Sequence, residues 1–127
     1  MTKKYKVLGK FIKDMSSETK DVETYLFVKD RITKYKLDIK INSIALKDKI
    51  IGVSTTLNFE DKEEVNKKSY FEITFTTIVR VEDNVEKKEL ERILLCDVQE
   101  EIRPELEKAF LNMLNNSGYT GFNFEKK

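Results

Sequence analysis

The chain has 127 residues, 39% hydrophobic and 37% charged, and its 24 basic side chains nearly cancel its 23 acidic ones to leave a formal charge of +1. That balance gives no electrostatic drive toward nucleic acid or an anionic bilayer. The absence of histidine removes the usual zinc ligands and the side chain best suited to acid–base work near neutral pH, and the lone Cys96 excludes an intrachain disulfide. No apolar run approaches a membrane span, and the opening Met-Thr-Lys-Lys leads into a polar alternating segment, so a soluble cytoplasmic protein without membrane insertion is expected. One domain over residues 1–127 is the natural reading, burying roughly two thirds of the surface its unfolded chain exposes.

Between Lys4 and Glu18, Tyr5, Val7, Phe11 and Met15 hold odd positions, and Lys4, Lys6, Lys10, Asp14, Ser16 and Glu18 even ones. This is the alternation of a strand with one wetter face. Leu8 and Ile12 fall on the even side, where they read as partial cover or subunit contacts. Ser16 to Thr33 has no clean period and is expected to be a partly anchored crossing loop carrying Tyr25, Leu26, Phe27, Val28 and Ile32. Tyr35, Leu37, Ile39 and Ile41 then alternate with Lys36, Asp38, Lys40 and Asn42 before the phase slips at Ile44 and Leu46, as at a bulge. A polar turn, Lys47-Asp48-Lys49, precedes the inward set Ile51, Val53, Thr55, Leu57 and Phe59. After a charged connection from Asp61 to Lys68, the last alternating set is Phe71, Ile73, Phe75, Thr77, Val79 and Val81. Strands joined in this way predict an antiparallel sheet, apolar on its odd-numbered face and polar on its even-numbered one.

From Glu89 to Gly118 the period changes. Leu90, Leu94, Val98, Ile102, Leu106, Phe110 and Leu114 recur at i, i+4, and Ile93, Ala109 and Met113 widen the stripe. Gly118 suits the C-terminal stop. Pro104 cannot donate to Glu100, which predicts two helices or one helix bent between Cys96 and Pro104. Such a stripe needs a flat surface to cover. The fold class is therefore α+β, a four-stranded antiparallel sheet followed by C-terminal helices packed on one face. Tyr119, Phe122 and Phe124 are expected to tuck an extended tail onto the sheet, and Cys96 to be a small buried hydrophobe.

Little in the chain supports catalysis. The four glycines, Gly9, Gly52, Gly118 and Gly121, are scattered rather than gathered into a phosphate loop, and no catalytic residue, cofactor or metal site is expected.

Several segments, in order, carry a likeness. Phe11-Ile-Lys-Asp-Met-Ser-Ser-Glu18 resembles the aromatic-x-Lys-Asp-Ile-Ser-x-Glu segment of the bacterial export chaperone family SecB. Lys36-Leu-Asp-Ile39 and Tyr70-Phe-Glu-Ile73 resemble the starts of that family's second and fourth strands. Cys96, Ile102-Arg-Pro-Glu105, Asn115-Asn-Ser-Gly-Tyr119 and Phe122-Asn-Phe124 are similar to its later landmarks. The chain departs from the pattern at Ser17, Arg103 and Glu105, where the family has aromatics, and at Asp97, where it has proline.

The resemblance implies an ATP-independent holdase that binds unfolded or precursor proteins in hydrophobic grooves and assembles as a dimer or a dimer of dimers. It places client-groove residues at Tyr25, Leu26, Phe27, Val28, Ile102 and Leu106, and oligomer contacts at Leu8, Ile12, Leu106 and Phe110. By motif match it places a docking surface for the translocation motor SecA on Asp14, Glu18, Tyr70 and Glu72, all even-numbered strand residues. The alternatives are a chaperone dedicated to one client, such as an antitoxin, and a scaffold of the same fold that binds one folded protein.

Overall fold

Alternating apolar residues in the middle of the chain build the sheet on which everything else rests. The computed structural model describes residues 4–63 and 68–120. Its strands are β1 (Tyr5–Glu18), β2 (Lys36–Ala45), β3 (Ile50–Glu60) and β4 (Tyr70–Val81), all antiparallel to their neighbours in the order β1-β4-β3-β2. β2, β3 and β4 form a meander, and β1 returns beside β4, a Greek-key connection. The odd-numbered residues of β3 and β4 are buried as the alternation requires, from Ile51 to Phe59 and from Phe71 to Val81. The β2–β3 turn is tight. Asp48 and Lys49 both take positive φ, 60° and 65°, and Ile50 N–H returns to the Lys47 carbonyl at 3.2 Å, as in the primed turns that match strand twist.

β1 departs from simple alternation. Its register against β4 shifts between Val7 and Gly9 and again between Ile12 and Asp14, so Leu8 and Lys13 are inserted residues. Between the two shifts the faces exchange: Phe11 pairs with Thr76 on the outer face, and Lys10 and Ile12 turn to the helix side. The Lys10 ammonium accordingly reaches Glu105 on the helix at 2.5 Å. Phe11 is thus outward and 47% exposed, against the inward position its odd number predicts. The second shift restores the phase, which returns Asp14 and Glu18 to the outer face. β2 shows the opposite correction: its register with β3 is unbroken through Ile44↔Gly52, so no bulge occurs and Ile44 lies on the outer face over a glycine.

The crossing segment is a helix, not a loop. α1 (Val22–Lys29) starts at Asp21, whose carboxylate accepts from Thr24 N–H at 2.8 Å, and a short 3-10 turn follows at Ile32–Lys34. The helix was hidden because it buries only Thr24 and Val28, too narrow a stripe to show a period. Arg31, just past it, ion-pairs with the 1% exposed Asp61 at the end of β3 at 2.7 Å and lies 5.5 Å from the Phe27 ring centre.

The C-terminal helix is continuous but not uniform. α2 (Lys87–Arg92) passes through a π turn (Ile93–Asp97), where Val98 N–H reaches back to the Ile93 carbonyl, into α3 (Val98–Asn116). The irregularity therefore precedes Pro104, and α3 continues through the proline to Asn116. Pro104 leaves the Glu100 carbonyl without its usual donor, and both residues are exposed. Cys96 sits in the π turn and is exposed, against the expectation of burial: two residues from both Leu94 and Val98, it lies on the opposite side of the helix from the sheet-facing stripe. The helix closes with a Schellman motif: Gly118, at φ 94°, donates to Asn115, and Tyr119 N–H reaches Leu114 at 2.9 Å.

α3 lies along β4. Tyr5 and Lys10 of β1 reach Glu101 and Glu105 from one side, while Thr55 and Phe59 of β3 meet Gln99 and Phe110 from the other. Phe59 stacks edge-on to Phe110 at 5.3 Å and packs against Tyr35 and Phe71. Buried hydroxyls fasten one end of this core: Ser69 N–H donates to Tyr35 Oη at 2.9 Å, and Ser69 Oγ lies 2.8 Å from Tyr119 Oη. Tyr119 is thus buried on the sheet as expected, while Phe122 and Phe124 lie outside the described residues.

Candidate functional site

Because α3 lies along β4, it stops short of β2. Leu37, Ile39 and Ile41 of β2, with Leu57 of β3, form one wall of a cleft of about 240 Å³, and Leu95 and Leu106 form the other. Ile39 is 59% exposed and Leu95 53%, whereas Val53 and Val79, under the helix, are 0% exposed. β2 ends the sheet, so its outer backbone edge has no strand neighbour among the described residues and can accept one. The upper lip of the cleft is one i, i+4 row of the helix: Leu95, Gln99, Arg103 and Glu107. Gln99 is fixed, accepting from Thr55 Oγ1 at 2.8 Å and donating to the Leu94 carbonyl at 3.1 Å. Arg103 and Glu107 carry free charges, with no ion pair or hydrogen bond from either among the described residues.

The groove residues expected from sequence are not brought together. Val28 and Ile102, each 1% exposed, face the interior and cannot meet a ligand in this subunit. Tyr25 is engaged with the tail, stacking on Tyr119 at 5.1 Å and donating to the Gly118 carbonyl at 2.7 Å. Phe27 is half-buried against Arg31, and Leu26 is 56% exposed on α1, outside the cleft. Leu106, at the foot of the helix wall, is the one expected residue that lines the cleft. Of the missed residues, Leu37, Ile39, Ile41 and Leu57 read as ordinary alternating core in the sequence, and Leu95 falls outside the helical stripe. Strand order distinguishes them, and alternation does not report strand order.

Leu106 and Phe110, expected as oligomer contacts, belong to the subunit's own core at 6% and 0% exposure. They lie in the i, i+4 stripe that faces the sheet, as its period predicts. Leu8 and Ile12 are 41% and 44% exposed on β1, the other edge of the sheet, beside Met15 at 52%.

Asp14, Glu18, Tyr70 and Glu72 share the outer face of β1 and β4. Glu18 pairs directly with Tyr70 and Asp14 with Thr74, and the Tyr70 hydroxyl hydrogen-bonds the Glu72 carboxylate. Burial, then a hydrogen bond to Glu101, pushes Tyr5 up to about 12, and burial pushes Tyr35 up to about 12. Among the described residues no group of acidic or thiol side chains could hold a metal ion, and no helix is long and apolar enough to cross a membrane.

A sheet of order β1-β4-β3-β2 under one C-terminal helix, with an open apolar cleft at the β2 edge, is the frame against which known proteins can be set. The family model for the preprotein translocase subunit SecB matches residues 1–126. The chain belongs to the SecB family. The putative protein-export protein SecB of Pelagibacter ubique (strain HTCC1062) is 59% identical over 128 residues, covering 100% of this chain and 91% of that protein. Among solved structures, a Mycobacterium tuberculosis SecB-like chaperone in complex with a ChAD peptide from the HigA1 antitoxin superposes with a TM-score of 0.71 at 9% identity, covering 98% of this chain and 91% of that one. At that identity the likeness shows a shared SecB-like fold. SecB-family membership supports a chaperone or protein-export role.

Proposed function

We propose that this SecB-family chain is an ATP-independent holdase that keeps unfolded or precursor polypeptides extended and competent for export. The observation that carries this reading is the cleft itself: apolar walls from Leu37, Ile39, Ile41, Leu95 and Leu106 run beside the backbone edge of β2, which has no strand partner among the described residues. An extended client gains there in two ways. Its backbone adds to the edge as a further strand, and its alternate side chains enter the cleft. Neither gain depends strongly on sequence, since backbone is common to all clients and apolar burial scales with area, at about 25 cal/mol per Å².

The outer-face set Asp14, Glu18, Tyr70 and Glu72 lies on the far side of the sheet from the cleft, so a motor such as SecA docked there would leave a bound client undisturbed. A second copy of the chain, covering Leu8, Ile12 and Met15 on the β1 edge, fits the homo-oligomer expected from sequence.

The test is light scattering during dilution of a chemically denatured, slow-folding protein, with wild type and with Ile39→Asp and Leu95→Asp. Both positions are exposed, so the variants keep the fold. Suppression of aggregation by wild type that is weakened in both variants supports the holdase. No suppression by wild type across several clients overturns it in favour of a single dedicated client or a scaffold.

A further inference from the structure

The apolar floor of the cleft accounts for capture, but not for the two free charges on its lip. Arg103 and Glu107 stand at i, i+4 on α3, a spacing at which opposite charges often pair, yet they do not pair with each other. Their order, cation on the N-terminal side, is the weaker one for such a pair. Both line the cleft instead. Nothing else on the lip competes: Gln99 is held by Thr55 and Leu94, and Leu95 is apolar.

The spacing is informative. Four residues of α-helix advance about 6 Å, and two residues of extended strand advance about 6.6 Å. A strand added to the free edge of β2 therefore presents successive same-face side chains almost in step with Leu95, Gln99, Arg103 and Glu107.

Resting on the holdase reading of this cleft, we propose that the lip selects extended segments carrying a carboxylate and a cation two residues apart. The carboxylate lies against Arg103 and the cation against Glu107, with an apolar residue further along the same face against Leu95. An opposite pair in the segment satisfies both charges beside an apolar wall, where the field is less screened than in open water. A segment with two like charges always sets one of them against its own sign, which acts as rejection rather than weak attraction.

The probes are fluorescein-labelled, valine-rich peptides with blocked ends, identical except at two positions two residues apart: Glu with Lys, Lys with Lys, Glu with Glu, or Gln with Gln. Like-charged peptides are used because a strand can enter in either direction, which makes simple reversal of the pair uninformative. Anisotropy titrations at low salt should show wild type binding the Glu/Lys peptide about fivefold more tightly than either like-charged one, the scale of an exposed ion pair. Arg103→Glu should place Lys/Lys first and Glu107→Arg should place Glu/Glu first, with circular dichroism and thermal melting of both variants as the check on the fold. Equal affinities in wild type, or the same ranking in the variants, overturn the selection and leave the holdase standing. Failure of all four peptides to bind overturns the cleft reading itself.

Discussion

Thr55 Oγ1, 2% exposed in the middle of β3, donates a 2.8 Å hydrogen bond to Gln99 Oε1 in the first turn of α3. The other end of the same amide donates to the Leu94 carbonyl at 3.1 Å. The π turn shifts the helix ladder by one residue, and Gln99 serves a carbonyl there while tying that turn to the sheet. One side chain therefore ties the π turn to the sheet beside the cleft.

Gln99→Ala should leave the buried Thr55 hydroxyl without its partner and lower stability by about 1–3 kcal/mol. Gln99→Ala combined with Thr55→Val should recover part of that loss, since the orphaned hydroxyl is gone. Urea unfolding of the single and double variants measures both.

Gly118→Ala combines two penalties. The backbone sits at φ 94°, and an added Cβ would stand 2.8 Å from Tyr25 Cε1. A loss exceeding about 1 kcal/mol is expected, with the Tyr25–Gly118 hydrogen bond broken and α1 loosened. Hydrogen exchange over Val22–Lys29 should rise in the variant, and unchanged protection there would show that Tyr25 does not hold α1.

Phe110→Ala should cost about 3–5 kcal/mol, as for other fully buried aromatics. Because Phe110 faces Phe59 inside the subunit, secondary structure should melt together with any assembly. Clean dissociation into folded subunits would return Phe110 to an interface.

Arg31→Ala should lower stability by removing the cation 2.7 Å from the buried carboxylate of Asp61. Replacing Asp61 with Asn in that background should restore part of the stability, read from thermal melts.

Alkaline pH should destabilise the fold in a defined window. Tyr5 and Tyr35 hold their protons more tightly folded than unfolded, with values raised from 10.0 to about 12 by burial. Their contribution is complete below pH 10.0 and is lost as pH climbs toward about 12. Tyr35→Phe should flatten the decline of stability between those limits, measured by denaturant unfolding across the range.

Much of this architecture was legible in the sequence because the middle strands are regular. Val53 to Phe59 and Phe71 to Val81 announce their faces by strict alternation, and Leu94 to Leu114 announces the helix by its period. The rest needed information that alternation does not carry. Two compensating insertions in β1 put Phe11 on the wrong face while leaving Asp14 and Glu18 on the expected one. α1 was invisible because its partner surface is small. The cleft was missed because Ile39 and Val53 have the same pattern in sequence and differ only in which strand the helix covers.

The two edges of the sheet also differ in how they treat strangers. β1 is interrupted twice and carries Lys6, Lys10 and Lys13, so a strand laid along it stays in step only if it has matching insertions, a condition another β1 meets and an arbitrary client does not. β2 runs for ten residues without a break in register and sets no such condition. One border of the molecule is keyed and the other is open, so a strand that lacks matching insertions is directed to β2 rather than to β1.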